Sequence, residues 1–152
     1  MEVFIEEMNE KDNIPMELLL EADPSEELIN EYIHNGIKYI VKNNNKIVGI
    51  LVLIQTRPKT MEIMNISVKK EYQNKGIGKQ LILKAIERAK KEKMKIIEIG
   101  TANPGVIQML LYQKCGFRII GIDFDYCRRY YKDKMIENGI ECRDMIRMRM
   151  EI

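Results

Sequence analysis

The chain has 152 residues, the size of one domain, able to bury about 68–70% of its unfolded surface without a metal or disulfide staple. Hydrophobic residues make up 45% and charged residues 32%, which excludes a wholly disordered chain; the longest apolar run, Ile47–Ile54, is too short to span a bilayer, and the acidic start lacks the pattern of a signal peptide. The net charge of +2 is unevenly placed, with eleven acids against Lys11 in residues 1–31 (−10) and ten bases against three acids in residues 69–95 (+7), and an odd total of three cysteines points to a reducing cytoplasm.

In chain order, Val3–Met8 reads as a first strand and Pro15–Glu21 as a short helix. Asp23-Pro24-Ser25-Glu26-Glu27 has the composition of a helix start, and the helix it opens places Leu28, Tyr32 and Ile33 on one face before Asn35-Gly36 ends it. Ile37–Lys42 and Lys46–Gln55 form a predicted hairpin around Asn43-Asn44-Asn45. After a turn at Arg57-Pro58-Lys59, Met61–Val68 is the next strand. Its apolar residues change parity between Ile63 and Met64, the mark of a β-bulge.

From Lys75 the period becomes helical, with Gly78, Leu81, Ile82, Ala85, Ile86 and Ala89 on one stripe. Lys95–Gly100 is a strand, Thr101–Gly105 a loop, and Val106–Cys115 a helix capped by Gly116. Phe117–Phe124 is a strand, residues 126–142 read as polar and irregular, and Asp144–Ile152 alternates as a half-buried strand. The order predicts a mixed α/β (α+β) sandwich around one sheet, a single domain over 1–152.

The informative stretch is Asn65 to Leu81, where a strand runs through a polar turn and a glycine pair into an amphipathic helix. Glycines at a helix start admit a ligand close to the backbone, and the free N–H groups there bind phosphate oxygens. A Walker loop fails because Gln80 follows Gly78-Lys79 and Gln73 stands in place of the first glycine. A dinucleotide fingerprint fails because position 81 is Leu. What fits is Q/R-x-x-G-x-G/A, met by Gln73, Gly76 and Gly78. Leu111-Tyr112-Gln113-Lys114-Cys115-Gly116-Phe117 matches a second pattern, L-Y-x-K-x-G-F.

Both motifs, in this order, resemble those of the GNAT superfamily of N-acetyltransferases. The resemblance implies a mixed central sheet of about seven strands with a bulged fourth strand and about four helices. It also implies an enzyme that takes acetyl-CoA as co-substrate, uses no metal, and moves the acetyl group directly to a primary amine. Gln73, Asn74, Lys75, Gly76, Ile77, Gly78 and Lys79 would hold the pyrophosphate, with Lys114 adding charge. The backbone of Ile66 and Val68 would hold the thioester and pantetheine, and Asn103 the pantetheine amides. Tyr112 would protonate the leaving thiolate, and Glu62 would serve as base.

The acceptor implied is a small-molecule amine or a peptide amine. The acids of residues 21–27 and 123–144 favour a cationic one, and an aminoglycoside is the runner-up. A non-catalytic acyl-CoA-binding module needs neither Tyr112 nor Glu62. A nucleic-acid binder would need aromatic side chains among the lysines, where only Tyr72 stands. No nucleic acid and no membrane are expected as partners, and a homodimer is left open. His34 is the single histidine and no Cys-x-x-Cys occurs, so no metal site is expected.

Overall fold

A computed structural model describes residues 2–152. The strands are β1 (Phe4–Glu7), β2 (Ile37–Asn43), β3 (Lys46–Arg57), β4 (Thr60–Val68), β5 (Ile96–Ala102), β6 (Arg118–Asp123), β7 (Ile136–Glu137), β8 (Ile140–Glu141) and β9 (Met145–Glu151). The helices are α1 (Met16–Ala22), α2 (Glu26–Tyr32), α3 (Ile77–Lys91), α4 (Val106–Lys114) and α5 (Tyr126–Tyr130). Seven strands form one sheet in the order β1-β2-β3-β4-β5-β9-β6. Its pairs are antiparallel except β4 with β5, which α3 joins as a parallel crossover.

Helices cover both faces, so the central strands are apolar on both sides. On one face Ile40, Ile50 and Val52 pack against Leu18, Leu19, Ile29 and Ile33 of the α1–α2 region. On the other, Leu51, Leu53, Ile97, Ile99 and Met148 pack against the α3 stripe and against Tyr112 and Phe117 at the end of α4. The β2–β3 turn is two residues, Asn44 and Asn45, both at positive φ, a backbone shape that asparagine accepts more readily than most side chains.

The expected bulge is present in β4. Leu53 faces Ile63 while Val52 faces Asn65, leaving Met64 as the extra residue. The insertion keeps Met61, Ile63, Ile66 and Val68 all on the α3 side, and Met64 packs on the α1–α2 side. Sequence parity groups Met64 with Ile66 and Val68; the bulge separates them. Pairing between β4 and β5 stops at Ile63 opposite Ile99, so the two strands part beyond the bulge.

Residues 126–142 are more ordered than their composition suggests. They hold α5, which brings the helix count to five, and the β7–β8 hairpin, closed by Asn138 (φ 54°) and Gly139 (φ 74°). Asn-Gly between two isoleucines is a strong hairpin signal, and here it outweighs the polar surroundings.

Candidate active site

The parting of β4 from β5 exposes backbone that a sheet would otherwise consume. The Lys69 N–H donates to the Val48 carbonyl at 2.8 Å. By the alternation of an antiparallel ladder, Ser67 and Asn65 then also bond to β3, and the N–H groups of Ile66 and Val68 turn toward the side that β5 has left. The Val68 carbonyl accepts from Gln73 Nε2 at 2.9 Å, which ties the end of the strand to the following loop. Ile66 and Val68 thus present main-chain groups to the gap, as an extended ligand pairing like a strand requires.

The loop itself starts with a single 3-10 turn at Lys70–Tyr72, steadied by Asn43 Nδ2 donating to the Tyr72 hydroxyl at 2.7 Å. Asn74 (φ 61°) and Gly76 (φ 80°) are left-handed and lead into α3. Among the described residues, no acceptor engages the backbone N–H groups from Asn74 through Lys79, and α3 has no acid in its first turn. The unpaired N–H groups and the helix dipole suit a phosphate group. Lys75, Lys79 and Lys114 take part in no ion pair among the described residues, so their charge is available to an anion. These residues fit a diphosphate-bearing ligand whose extended arm enters the gap.

Behind the gap lies a cavity of about 780 Å³, walled by β4, β5, the α1–α2 junction and the late segment. Tyr112 lines it. Its ring is buried, edge-on to Phe117 at 6.3 Å, and its hydroxyl makes no hydrogen bond among the described residues. Burial first, and Cys115 second, push the phenol well above its ordinary pKa, so the proton stays on at neutral pH. Gly116 fixes the end of α4 at φ 110°, where a Cβ would stand 2.8 Å from Met150 Sδ.

Glu62 lines the same cavity from β4. Arg147 Nη1 donates to its Oε2 at 3.2 Å. Burial raises the Glu62 carboxyl above the ordinary range, and Arg147 opposes that without cancelling it. Asn103 is differently occupied. Its Oδ1 accepts from the Arg143 N–H at 2.8 Å and the Asp144 N–H at 3.1 Å, and its Nδ2 donates to the Glu141 carbonyl at 3.1 Å. It fastens the end of β5 to the start of β9 and keeps one amide proton unspent among the described residues.

Across the cavity stand Tyr32, Asn65 and Tyr131, which sequence reasoning did not assign to the site, and Asp23, which it counted only among the acids that favour a cationic acceptor. Asp23, between α1 and α2, is buried; its carboxylate accepts from the Tyr32 hydroxyl at 2.8 Å and from the Tyr131 hydroxyl at 2.6 Å. Asn65 Nδ2 donates to the Tyr32 oxygen at 3.1 Å and to the Leu19 carbonyl at 3.0 Å. No local pattern marks these residues, because Asp23 and Tyr131 lie 108 positions apart. Three of the six late-segment acids expected to attract an amine are spent in ion pairs. Asp123 pairs with Arg129 and Arg147, Asp125 with Arg143, and Glu141 with Arg128 and Lys134. Among acids, the cavity lining instead draws on Glu21, Asp23, Glu31, Glu62 and Glu137.

The family model described as "Acetyltransferase (GNAT) family" matches residues 4–117. The chain is 48% identical over 147 residues to the Bacillus subtilis (strain 168) protein named "Uncharacterized N-acetyltransferase YvbK", covering 96% of this chain and 95% of that one. Among solved structures, "IAA acetyltransferase from Bacillus cereus ATCC 14579" superposes with a TM-score of 0.95 at 52% identity, over 99% of this chain and 100% of that one. A GNAT family acetyltransferase from Elizabethkingia anophelis with acetyl-CoA bound superposes with a TM-score of 0.95 at 44% identity, over 99% and 98%. The splayed strands, the glycine loop with its unpaired N–H groups and these likenesses agree: the chain belongs to the acetyltransferase (GNAT) family and is an N-acetyltransferase that uses acetyl-CoA as co-substrate.

Proposed function

We propose that this single domain transfers acetyl from acetyl-CoA directly to the primary amine of a small cationic acceptor. One observation carries the acceptor class. The described lining of the cavity combines Glu21, Asp23, Glu31, Glu62 and Glu137 with a single base, Arg147, which is already paired with Glu62 and Asp123. A cleft with that excess of negative charge concentrates cations and repels acidic acceptors.

Acetyl-CoA supplies the acyl group as an activated thioester. The N–H groups from Asn74 to Lys79 hold its diphosphate, and Ile66 and Val68 offer main-chain partners to its arm. The Ile66 N–H stands where negative charge develops on the acyl oxygen. Glu62, its carboxyl raised by burial, accepts the amine proton through water. Tyr112 gives its proton to the sulfur as the C–S bond breaks and the N–C bond forms. Direct transfer suits Cys115, whose thiol burial pushes upward, away from a thiolate nucleophile. A reducing cytoplasm suits the three free cysteines.

The test is thiol release from acetyl-CoA with a panel of polyamines, aminoglycosides, amino acids and peptides. Aliphatic cationic amines are expected to turn over fastest. Faster turnover of acidic or neutral acceptors overturns the acceptor class, and no thiol release with any amine overturns the transfer to an amine.

A further inference from the structure

Deepening that reading and resting on it, we infer that Asp23, Tyr32, Tyr131 and Asn65 form an anchor for a second, non-reacting ammonium group, so that the acceptor is a diamine or polyamine. Asp23 is 8% exposed and has no cationic partner among the described residues. A carboxylate so enclosed is costly unless its lone pairs are filled. Two phenol hydroxyls supply one hydrogen bond to each oxygen, which leaves acceptor capacity on both.

The rest of the cluster is turned the same way. The Tyr32 hydroxyl spends its proton on Asp23, and its oxygen is taken by Asn65 Nδ2, which also donates to the Leu19 carbonyl. That orientation leaves Asn65 Oδ1 buried with no donor at all. Asn65 is 4% exposed and lines the cavity together with Asp23, Tyr32 and Tyr131. A buried unpartnered acceptor in a native fold calls for an explanation. The cluster thus holds spare acceptor capacity on both Asp23 oxygens, a further unpartnered acceptor buried at Asn65 Oδ1, a negative charge and no spare donor. Its chemical complement is a group with several N–H donors and a positive charge, which is an alkylammonium.

This nitrogen is not the one that reacts. A neighbouring carboxylate favours the protonated form of an amine, whereas attack on a thioester requires the neutral form. The acceptor therefore carries at least two nitrogens, one held charged at the anchor and another delivered toward Tyr112 and Glu62. The Tyr131 hydroxyl comes from the late segment and Tyr32 from α2, so the anchor also joins the two walls of the cavity and sets its width.

The test compares putrescine with butylamine and cadaverine with pentylamine, pairs matched in chain length and differing in the second ammonium. Titration calorimetry on the CoA-loaded protein reads binding, and thiol release reads turnover. The parent is expected to bind each diamine about tenfold or more tightly than its monoamine, and Asp23→Asn to bring that ratio close to one. Acetyl-CoA affinity within about twofold of the parent certifies that the variant is folded. Equal binding of diamine and monoamine by the parent overturns the anchor, whether or not the variant folds. A ratio retained in a folded Asp23→Asn protein overturns it as well. If no amine releases thiol, the transfer reading falls while the titrations still decide the anchor.

Discussion

Burial tunes Tyr112 and Glu62 by the same physics, raising both, yet it suits them to the opposite tasks proposed for them. A phenol pushed up keeps its proton throughout the neutral range; a carboxyl pushed up becomes a better base nearer neutrality while remaining ionised above its pKa. Tyr112→Phe keeps the ring against Phe117 and removes the donor, so kcat is expected to fall by roughly 10²–10⁴-fold with little change in acetyl-CoA affinity. Because the Tyr112 phenol does not ionise there, the ratio of parent to variant is expected to stay flat from about pH 7 to 9. A parent-like rate, or a ratio that shrinks with rising pH, contradicts the donor role. For Glu62→Gln the loss in kcat/KM is expected to be largest between the raised Glu62 pKa and the pKa of the acceptor amine. Above that window the amine is already neutral, and below it the parent's own carboxylate is protonated. A pH-rate series for both proteins checks this, and a constant ratio favours a route that uses water alone.

Among elements, β4 and the loop after it make the proposed cofactor site. Met64 bulges and β5 stops pairing at Ile99, so the N–H groups of Ile66 and Val68 face an opening instead of a neighbouring strand. Gly76 and Gly78 separate two effects of substitution. At Gly76 φ is +80° and a Cβ meets nothing within 4 Å; Gly76→Val is expected to cost about 1–2 kcal/mol from left-handed strain and to obstruct the diphosphate. At Gly78 a Cβ meets only Leu111 Cδ2 at the ordinary distance of 3.6 Å, so Gly78→Val is expected to fold well and yet weaken acetyl-CoA binding. Urea unfolding and calorimetry together tell them apart, and unchanged acetyl-CoA affinity in both folded variants removes the loop from the site. This element was legible in the sequence because its signals are local: a parity change, a glycine pair and a helical period. The β7–β8 hairpin was equally local at Asn138-Gly139, but the charged residues around it disguised its strands as loop.

For the whole molecule, the division of charge along the sequence becomes a division in space, with lysines at the glycine loop and, at the cavity, Glu21, Asp23, Glu31 and Glu137, which take part in no ion pair among the described residues. On the proposed function both substrates are attracted by exposed or half-exposed charge, which salt screens over about 10 Å at 0.1 M. The KM for acetyl-CoA and the KM for the best cationic amine are both expected to rise with ionic strength. A salt-independent amine KM contradicts an electrostatic acceptor cleft. The sequence by itself determined the layered α/β plan, the bulge, the glycine turn that opens α3 and the place of Tyr112 on α4, since each follows from periodicity, turn chemistry or a short motif within one element. Only the tertiary structure decided that β9 enters between β5 and β6, bringing Arg147 to Glu62, and that Asp23 meets Tyr131 across 108 residues. It likewise showed that Asp123, Asp125 and Glu141 are neutralised by arginines, whereas Asp23 and Asn65 retain unfilled acceptors. Which charge is cancelled and which stays free depends on what the fold places a few ångströms away, and spacing along the chain carries no information about that.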